Sequence, residues 1–173
     1  MKKSKLIAMM ALSAVLFAGS TVGLSSAAHA ATFDPNATYK IINQNSGKAL
    51  DVEFNSTLPS YRLHQWSYQG LASQQWKLRP SLDGFYYLVN VNSGLAADAP
   101  GASNGTKLVQ QYWDNRESEK WDIQAVGGVY KIVSKPYVKV FDIEFNSTAD
   151  GADAHLWQFT SGITSQLWSI VQI

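Results

Sequence analysis

No cysteine occurs anywhere in the chain, so disulfide staples and thiolate metal sites are excluded, and stability has to come from a packed core. Charge is also scarce, at 16% of residues. Apart from the first thirty residues there is no long apolar run, and no stretch shows helical periodicity. Together these absences argue against a spanning helix and against a helical bundle. Histidine is rare: beyond residue 30 only His64 and His155 remain, too far apart in sequence to form a ligand pair of the usual metal-binding spacing. No serine sits in the tight glycine-flanked elbow of a nucleophilic hydrolase. Neither a cofactor nor a metal is expected.

The N-terminus stands apart. Lys2, Lys3 and Lys5 precede a largely apolar stretch from Leu6 to Phe17, and Ala28-His29-Ala30 supplies small residues around a cleavage point. This pattern reads as a secretory leader over residues 1–30. Ser13, Ser20 and Thr21 break the run before it reaches the roughly 18–20 apolar residues of a membrane span. The expected mature protein is therefore extracellular, begins at Ala31 and occupies residues 31–173, the length of one domain. It carries eleven basic and thirteen acidic residues, a balance of −2. Nucleic acid and anionic membrane, which call for clustered positive charge, are not expected partners.

What the chain does have is tryptophan in rhythm. Gln74-Gln75-Trp76, Glu119-Lys120-Trp121 and Gln166-Leu167-Trp168 end in tryptophans 45 and 47 residues apart. A repeated period of this length marks one folding unit copied along the chain, and the copies divide as residues 39–80, 81–126 and 127–173. Each opens with a β-rich run, Tyr39-Lys40-Ile41-Ile42-Asn43, Tyr87-Leu88-Val89-Asn90 or Tyr130-Lys131-Ile132-Val133. A turn signal and a second short strand ending on an acid follow: Leu50-Asp51, Ala97-Asp98 and Phe141-Asp142. A third strand bears aromatics, and the triplet closes the copy. The expected fold is all-β with four short strands per copy. A propeller would need about four to eight blades, and a solenoid would need atypical end copies, whereas the first and last copies here are the most alike.

Three ordered Gln-x-Trp-like triplets, an acid after the second strand and an aromatic about fifteen residues later resemble the ricin B-chain-type lectin domain over essentially the whole of residues 31–173. The resemblance implies a β-trefoil, with the triplet tryptophans in a shared core and a shallow sugar site in each copy. Carried over residue by residue, it implies that Asp51, Asp98 and Asp142 hold vicinal hydroxyls while Trp66, Trp157 and one of Tyr112 or Trp113 stack on a pyranose. Tyr112 is favoured because Val109-Gln110-Gln111-Tyr112 resembles the family's apolar-Gln-x-aromatic run. His64, Gln110 and His155 match a polar orienting position, and Gln74, Glu119 and Gln166 close the sites. The expected partner is a glycan or polysaccharide, with a protein partner in a larger toxin or enzyme assembly as a further option. Where the family often has Asn before the triplet, this chain has Ser73, Ser118 and Ser165, which implies a water-bridged contact or a different preferred sugar.

Two other functions compete. A trefoil can instead bind protein, as an inhibitor or as the receptor-binding part of a toxin. Asp51-Val52-Glu53 and Asp142-Ile143-Glu144 place carboxylates two residues apart, hence on one face of a strand, and paired carboxylates are the chemistry of glycoside hydrolysis. A feature copied with its repeat is more simply a binding feature, so no enzyme is expected. The runs Glu53-Phe54-Asn55-Ser56-Thr57 and Glu144-Phe145-Asn146-Ser147-Thr148 also contain N-glycosylation signals, silent in a bacterial host.

Overall fold

The computed structural model describes residues 32–173; the expected leader lies outside the described residues. Twelve short strands follow one another in three sets of four. The first set is β1 (Tyr39–Asn43), β2 (Ala49–Val52), β3 (Leu63–Trp66) and β4 (Trp76–Pro80). The second is β5 (Tyr86–Asn90), β6 (Ala96–Asp98), β7 (Val109–Gln111) and β8 (Trp121–Val126). The third is β9 (Val129–Ser134), β10 (Val140–Ile143), β11 (Ala154–Trp157) and β12 (Trp168–Gln172). The only helical pieces among the described residues are single 3-10 turns.

The first and last strands of each set form a closed antiparallel ring, β1-β4-β5-β8-β9-β12 and back to β1. Closure leaves no barrel edge unpaired. The middle two strands of each set form hairpins, β2-β3, β6-β7 and β10-β11. These meet one another through the bridges Arg62↔Val109, His64↔Asp153 and Lys107↔His155. This is a β-trefoil.

Alternation within the ring strands explains the core. In β1 the buried positions are Tyr39, Ile41 and Asn43, and in β4 they are Trp76 and Leu78. Trp76, Trp121 and Trp168 are wholly buried. Each indole N–H donates to a carbonyl of its own second strand: to Leu50 at 3.0 Å, to Ala97 at 3.1 Å and to Phe141 at 3.2 Å. The large apolar surface and the polar handle are thus both satisfied. Tyr39, Tyr86 and Tyr130 pair with the triplet tryptophans across the ring. The register therefore makes Tyr86 the equivalent of Tyr39, one residue before the expected Tyr87. Phe33 sits where these three tyrosines converge, with its ring centroid 5.6, 5.5 and 5.6 Å from theirs, and so plugs one end of the barrel.

The turn after the opening strand shows a weaker third copy. The side chains of Asn43 and Asn90 accept from the backbone amides two and three residues on and donate to the carbonyls of Ser165 and Ser73 respectively. Ser134 takes their place, and its buried hydroxyl has no hydrogen-bond partner. Later in the same turn Gly47 and Gly94 adopt φ of 71°, whereas Val138 is held at 54°. A β-branched residue in the left-handed region is strained by about 1–2 kcal/mol. Val138 is also 78% exposed, so its side chain contributes little packing. Val138→Gly is expected to raise stability by about 1 kcal/mol, read as a higher urea midpoint at unchanged slope; an unchanged or lower midpoint would contradict the strain.

Candidate functional site

In the first and third copies the hairpin brings the acid, the histidine and the tryptophan together. Asp51 lies opposite His64 in the β2-β3 register, and Asp142 lies opposite His155 in β10-β11. Trp66 and Trp157 follow two residues later and so share the histidine's face of the strand. The rings stack, with centroids 5.6 Å apart at 29° for His64 and Trp66 and 5.3 Å at 18° for His155 and Trp157. The acids and histidines are buried, while Trp66 and Trp157 are 36% and 39% exposed. Each site is therefore a carboxylate at the bottom of a depression with an indole at its rim.

Gln74 and Gln166 stand behind the carboxylates. Their amide nitrogens lie 3.3 Å from Asp51 Oδ2 and 3.2 Å from Asp142 Oδ2, and also donate to the carbonyls of Ser67 and Gln158. Their carbonyl oxygens accept from Gln69 N–H and Thr160 N–H. Both ends of each amide are thus engaged within the protein, and the residue fixes the acid and the loop below the indole.

Asp142 shows the electrostatic balance. Burial is the largest single influence and pushes its carboxyl upward, but His155, Ser165 and Gln166 together outweigh it and hold the group below the usual carboxylate range. His155 Nε2 lies 3.4 Å from Asp142 Oδ2 without good hydrogen-bond alignment, and neither ring nitrogen has a hydrogen-bond partner. In the first copy His64 Nε2 is 3.7 Å from Asp51 Oδ2, and Asp51 Oδ1 is buried without a partner. Buried polar atoms left unsatisfied in this way call for an explanation. The residues that carry these atoms line cavities of about 340 Å³ in the first copy and about 330 Å³ in the third.

Sequence reasoning missed the opposite wall of these cavities. Phe54 and Asn55, and likewise Phe145 and Asn146, line them from a turn just after the second strand. The serine before the first and the third triplet grips that turn: Ser73 Oγ lies 2.6 Å from Asn55 Oδ1, and Ser165 Oγ lies 2.6 Å from both Asn146 Oδ1 and Asp142 Oδ1. The serines are buried and tie the turn to the site. The signal was present in the repeated Glu-Phe-Asn-Ser-Thr run, which the middle copy lacks.

The same turn corrects the carboxylate pairing. The strand ends at Val52 or Ile143, and Glu53 or Glu144 begins a 3-10 turn, so the two acids do not share a strand face. Glu53 pairs with Arg62 at 3.0 Å, Arg62 with Asp153 at 3.1 Å, Asp153 with Lys107 at 3.1 Å, and Lys107 with Glu144 at 2.5 Å. This chain of ions joins the three hairpins where they meet.

The middle copy differs from expectation in register. Asp98 lies opposite Val109, Ala97 opposite Gln110 and Ala96 opposite Gln111. Val109 thus takes the histidine's place and Gln111 the tryptophan's, because the connection from Asp98 is two residues shorter than those from Asp51 and Asp142. Gln110 corresponds instead to Gln65. Gln110 contacts Ser93 Oγ and the carbonyls of Ser56 and Leu58, just as Gln65 contacts Ser46 Oγ and the carbonyls of Ser147 and Ala149. It is a scaffold residue that links adjacent hairpins. Neither Tyr112 nor Trp113 stands at the platform position. Tyr112 is exposed, and Trp113 packs on Tyr87 with centroids 5.2 Å apart, in a separate cleft shared with Asp83 and Lys120.

Charge occupies what remains of the middle site. Arg116 starts the 3-10 turn at the place held by Leu71 and Ile163 in the other copies. It lies 3.8 Å from Asp98 Oδ2 and 3.0 Å from Glu119 Oε1. Glu119 is buried deeply enough to sit above the usual carboxylate range despite the Arg116 contacts. Among the described residues no group of three or more His, Asp or Glu could hold a metal ion, and no helix is long and apolar enough to cross a membrane.

Comparison with known proteins agrees with this architecture. The family described as ricin-type beta-trefoil lectin domain-like matches residues 31–111 and 73–157. No curated protein matches this chain. Among solved structures, the designed threefold-symmetric protein ThreeFoil is 36% identical, with 79% of this chain and 99% of that one covered and a TM-score of 0.76. An exo-β-1,3-galactanase from Clostridium thermocellum is 34% identical over 82% of this chain, with a TM-score of 0.77; the match spans 31% of that enzyme. The Macrolepiota procera ricin B-like lectin, solved with lactose, shares the fold at 21% identity and a TM-score of 0.71, covering 83% of this chain and 100% of that one. With its threefold barrel and the family match over most of its length, the chain belongs to the ricin-type β-trefoil lectin-like family.

Proposed function

We propose that this chain is a secreted lectin that binds glycans at two equivalent sites, one in the first copy and one in the third. The observation that carries this reading is the pairing, found twice, of a buried carboxylate with a half-exposed indole above it. A pyranose offers a C–H face to the indole and adjacent hydroxyls to the acid. A hydroxyl reaching Asp51 Oδ1 or the His155 ring would satisfy polar atoms that the protein leaves unpaired. Structural neighbours solved with lactose and with GalNAc support the ligand class.

The galactanase similarity does not carry hydrolysis across, because it covers only a part of that enzyme. Glu53 and Glu144 are engaged with Arg62 and Lys107, and the proposed role is binding. A glycan array with free-sugar competition tests it: the purified protein should bind one glycan class, and the matching soluble sugar should displace it. Binding to no glycan, or to a protein partner that sugar does not compete away, would sink the lectin reading. Secretion rests on the leader pattern alone; intact mass of protein from culture medium should begin at Ala31, and a retained residue 1–30 segment would refute it.

A further inference from the structure

Phe54 and Phe145 are among the most exposed large apolar side chains described, at 81% and 90%. Each stands on a backbone that phenylalanine rarely adopts. Phe54 and Asn55 have φ of 57° and 52°, and Phe145 and Asn146 have 57° and 53°. Two consecutive left-handed non-glycine residues are strained and persist only where their surroundings over-determine them.

The surroundings do so in the same way in both copies. The asparagine side chain is held by the triplet serine. Its carbonyl accepts from the neighbouring copy, from Asn92 at 2.9 Å for Asn55 and from Asn45 at 2.8 Å for Asn146. The turn closes through Ser56 N–H to Glu53 O and Ser147 N–H to Glu144 O. The fold therefore holds a phenylalanine out into water twice, each time at the edge of a cavity that also contains the acid and the indole. Asp98, in the copy that lacks the histidine and tryptophan, is followed by Ala99-Pro100-Gly101. The phenylalanine accompanies the Asp-His-Trp set and is absent with it.

Resting on the lectin reading, we infer that Phe54 and Phe145 form a second subsite, and that each site reads at least two linked sugar units. A pyranose with its C–H face on Trp66 and hydroxyls turned down to Asp51 has one apolar face, already covered. An exposed phenyl ring on the opposite wall gains a partner only from a further apolar surface, which the next sugar of a β-linked chain supplies. A cavity of about 330–340 Å³ lies at the small end of ligand pockets, and its open rim lets a chain continue past the phenylalanine.

The test compares the parent with Phe54→Ala/Phe145→Ala and Phe54→Tyr/Phe145→Tyr. The probes are galactose, N-acetylgalactosamine, glucose and xylose, each free and as β-linked di- and trisaccharides, by titration calorimetry. The parent should bind its preferred disaccharide about tenfold more tightly than the matching monosaccharide, the gain expected of one aromatic contact. The alanine variant should lose that gain, so that its disaccharide and monosaccharide affinities come within about twofold of each other; the tyrosine variant should keep it. A parent that binds mono- and disaccharide equally would overturn the inference without any variant. So would an alanine variant whose preference for the disaccharide is unchanged, or one that loses monosaccharide binding in proportion. Failure of the parent to bind every probe is a different result, because it removes the lectin reading itself.

Discussion

Replacing both Trp66 and Trp157 by alanine is expected to remove nearly all sugar binding while leaving the fold intact. Both indoles are only partly buried, and neither contributes to the apolar core. Single shallow sugar sites commonly bind near millimolar affinity, roughly −4 kcal/mol. Loss of the platform at such a site drops it out of the measurable range. Either single change should leave one site working, so free sugar still binds at half the stoichiometry. Attachment to a multivalent glycan should nevertheless fall sharply, because two sites on one rigid body raise avidity by about 10² to 10⁴. Tyr112→Ala and Trp113→Ala should change neither quantity. Calorimetry with free sugar and retention on an immobilised polymer check the three cases, and a double variant that still binds like the parent would show the platforms to be misassigned.

The same residue type in the other register should give the opposite result. Trp168→Ala removes a wholly buried indole and leaves the Phe141 carbonyl without its 3.2 Å donor. Large-to-small changes of this kind cost about 3–5 kcal/mol, a large share of the roughly 5–15 kcal/mol that holds a domain together. A thermal midpoint lower by about 10 °C or more follows for a domain of this size. What folded protein remains should bind sugar normally, because Trp168 does not reach the cavity. A midpoint within about 2 °C of the parent would contradict a core assembled on the three triplet tryptophans.

The core and the placement of two candidate sites are legible because their spacing is the same in two copies of one chain. Asp51 to Trp66 and Asp142 to Trp157 span hairpins of equal length, so counting along the sequence reproduces the strand register. Counting fails at Asp98, where the hairpin is two residues shorter. Gln110 looks like a site residue in sequence, yet a side chain's face depends on register, and a slip of one position sends it to the other side of the sheet. The adjacent Tyr86 and Tyr87 mislead for the same reason. Phe54 and Phe145 escaped because nothing in a phenylalanine announces a positive φ. The strain that displays them comes from Asn92, Asn45 and the triplet serines, which are distant in sequence and converge only in the fold.

The most direct test of the two-site account follows the six tryptophan indole N–H resonances by NMR during titration with the best-bound sugar. Trp66 and Trp157 should shift and saturate together, while Trp76, Trp121 and Trp168, bonded to core carbonyls, and Trp113, packed on Tyr87, stay in place. Movement of Trp113 with Trp66 and Trp157 unmoved would contradict the account.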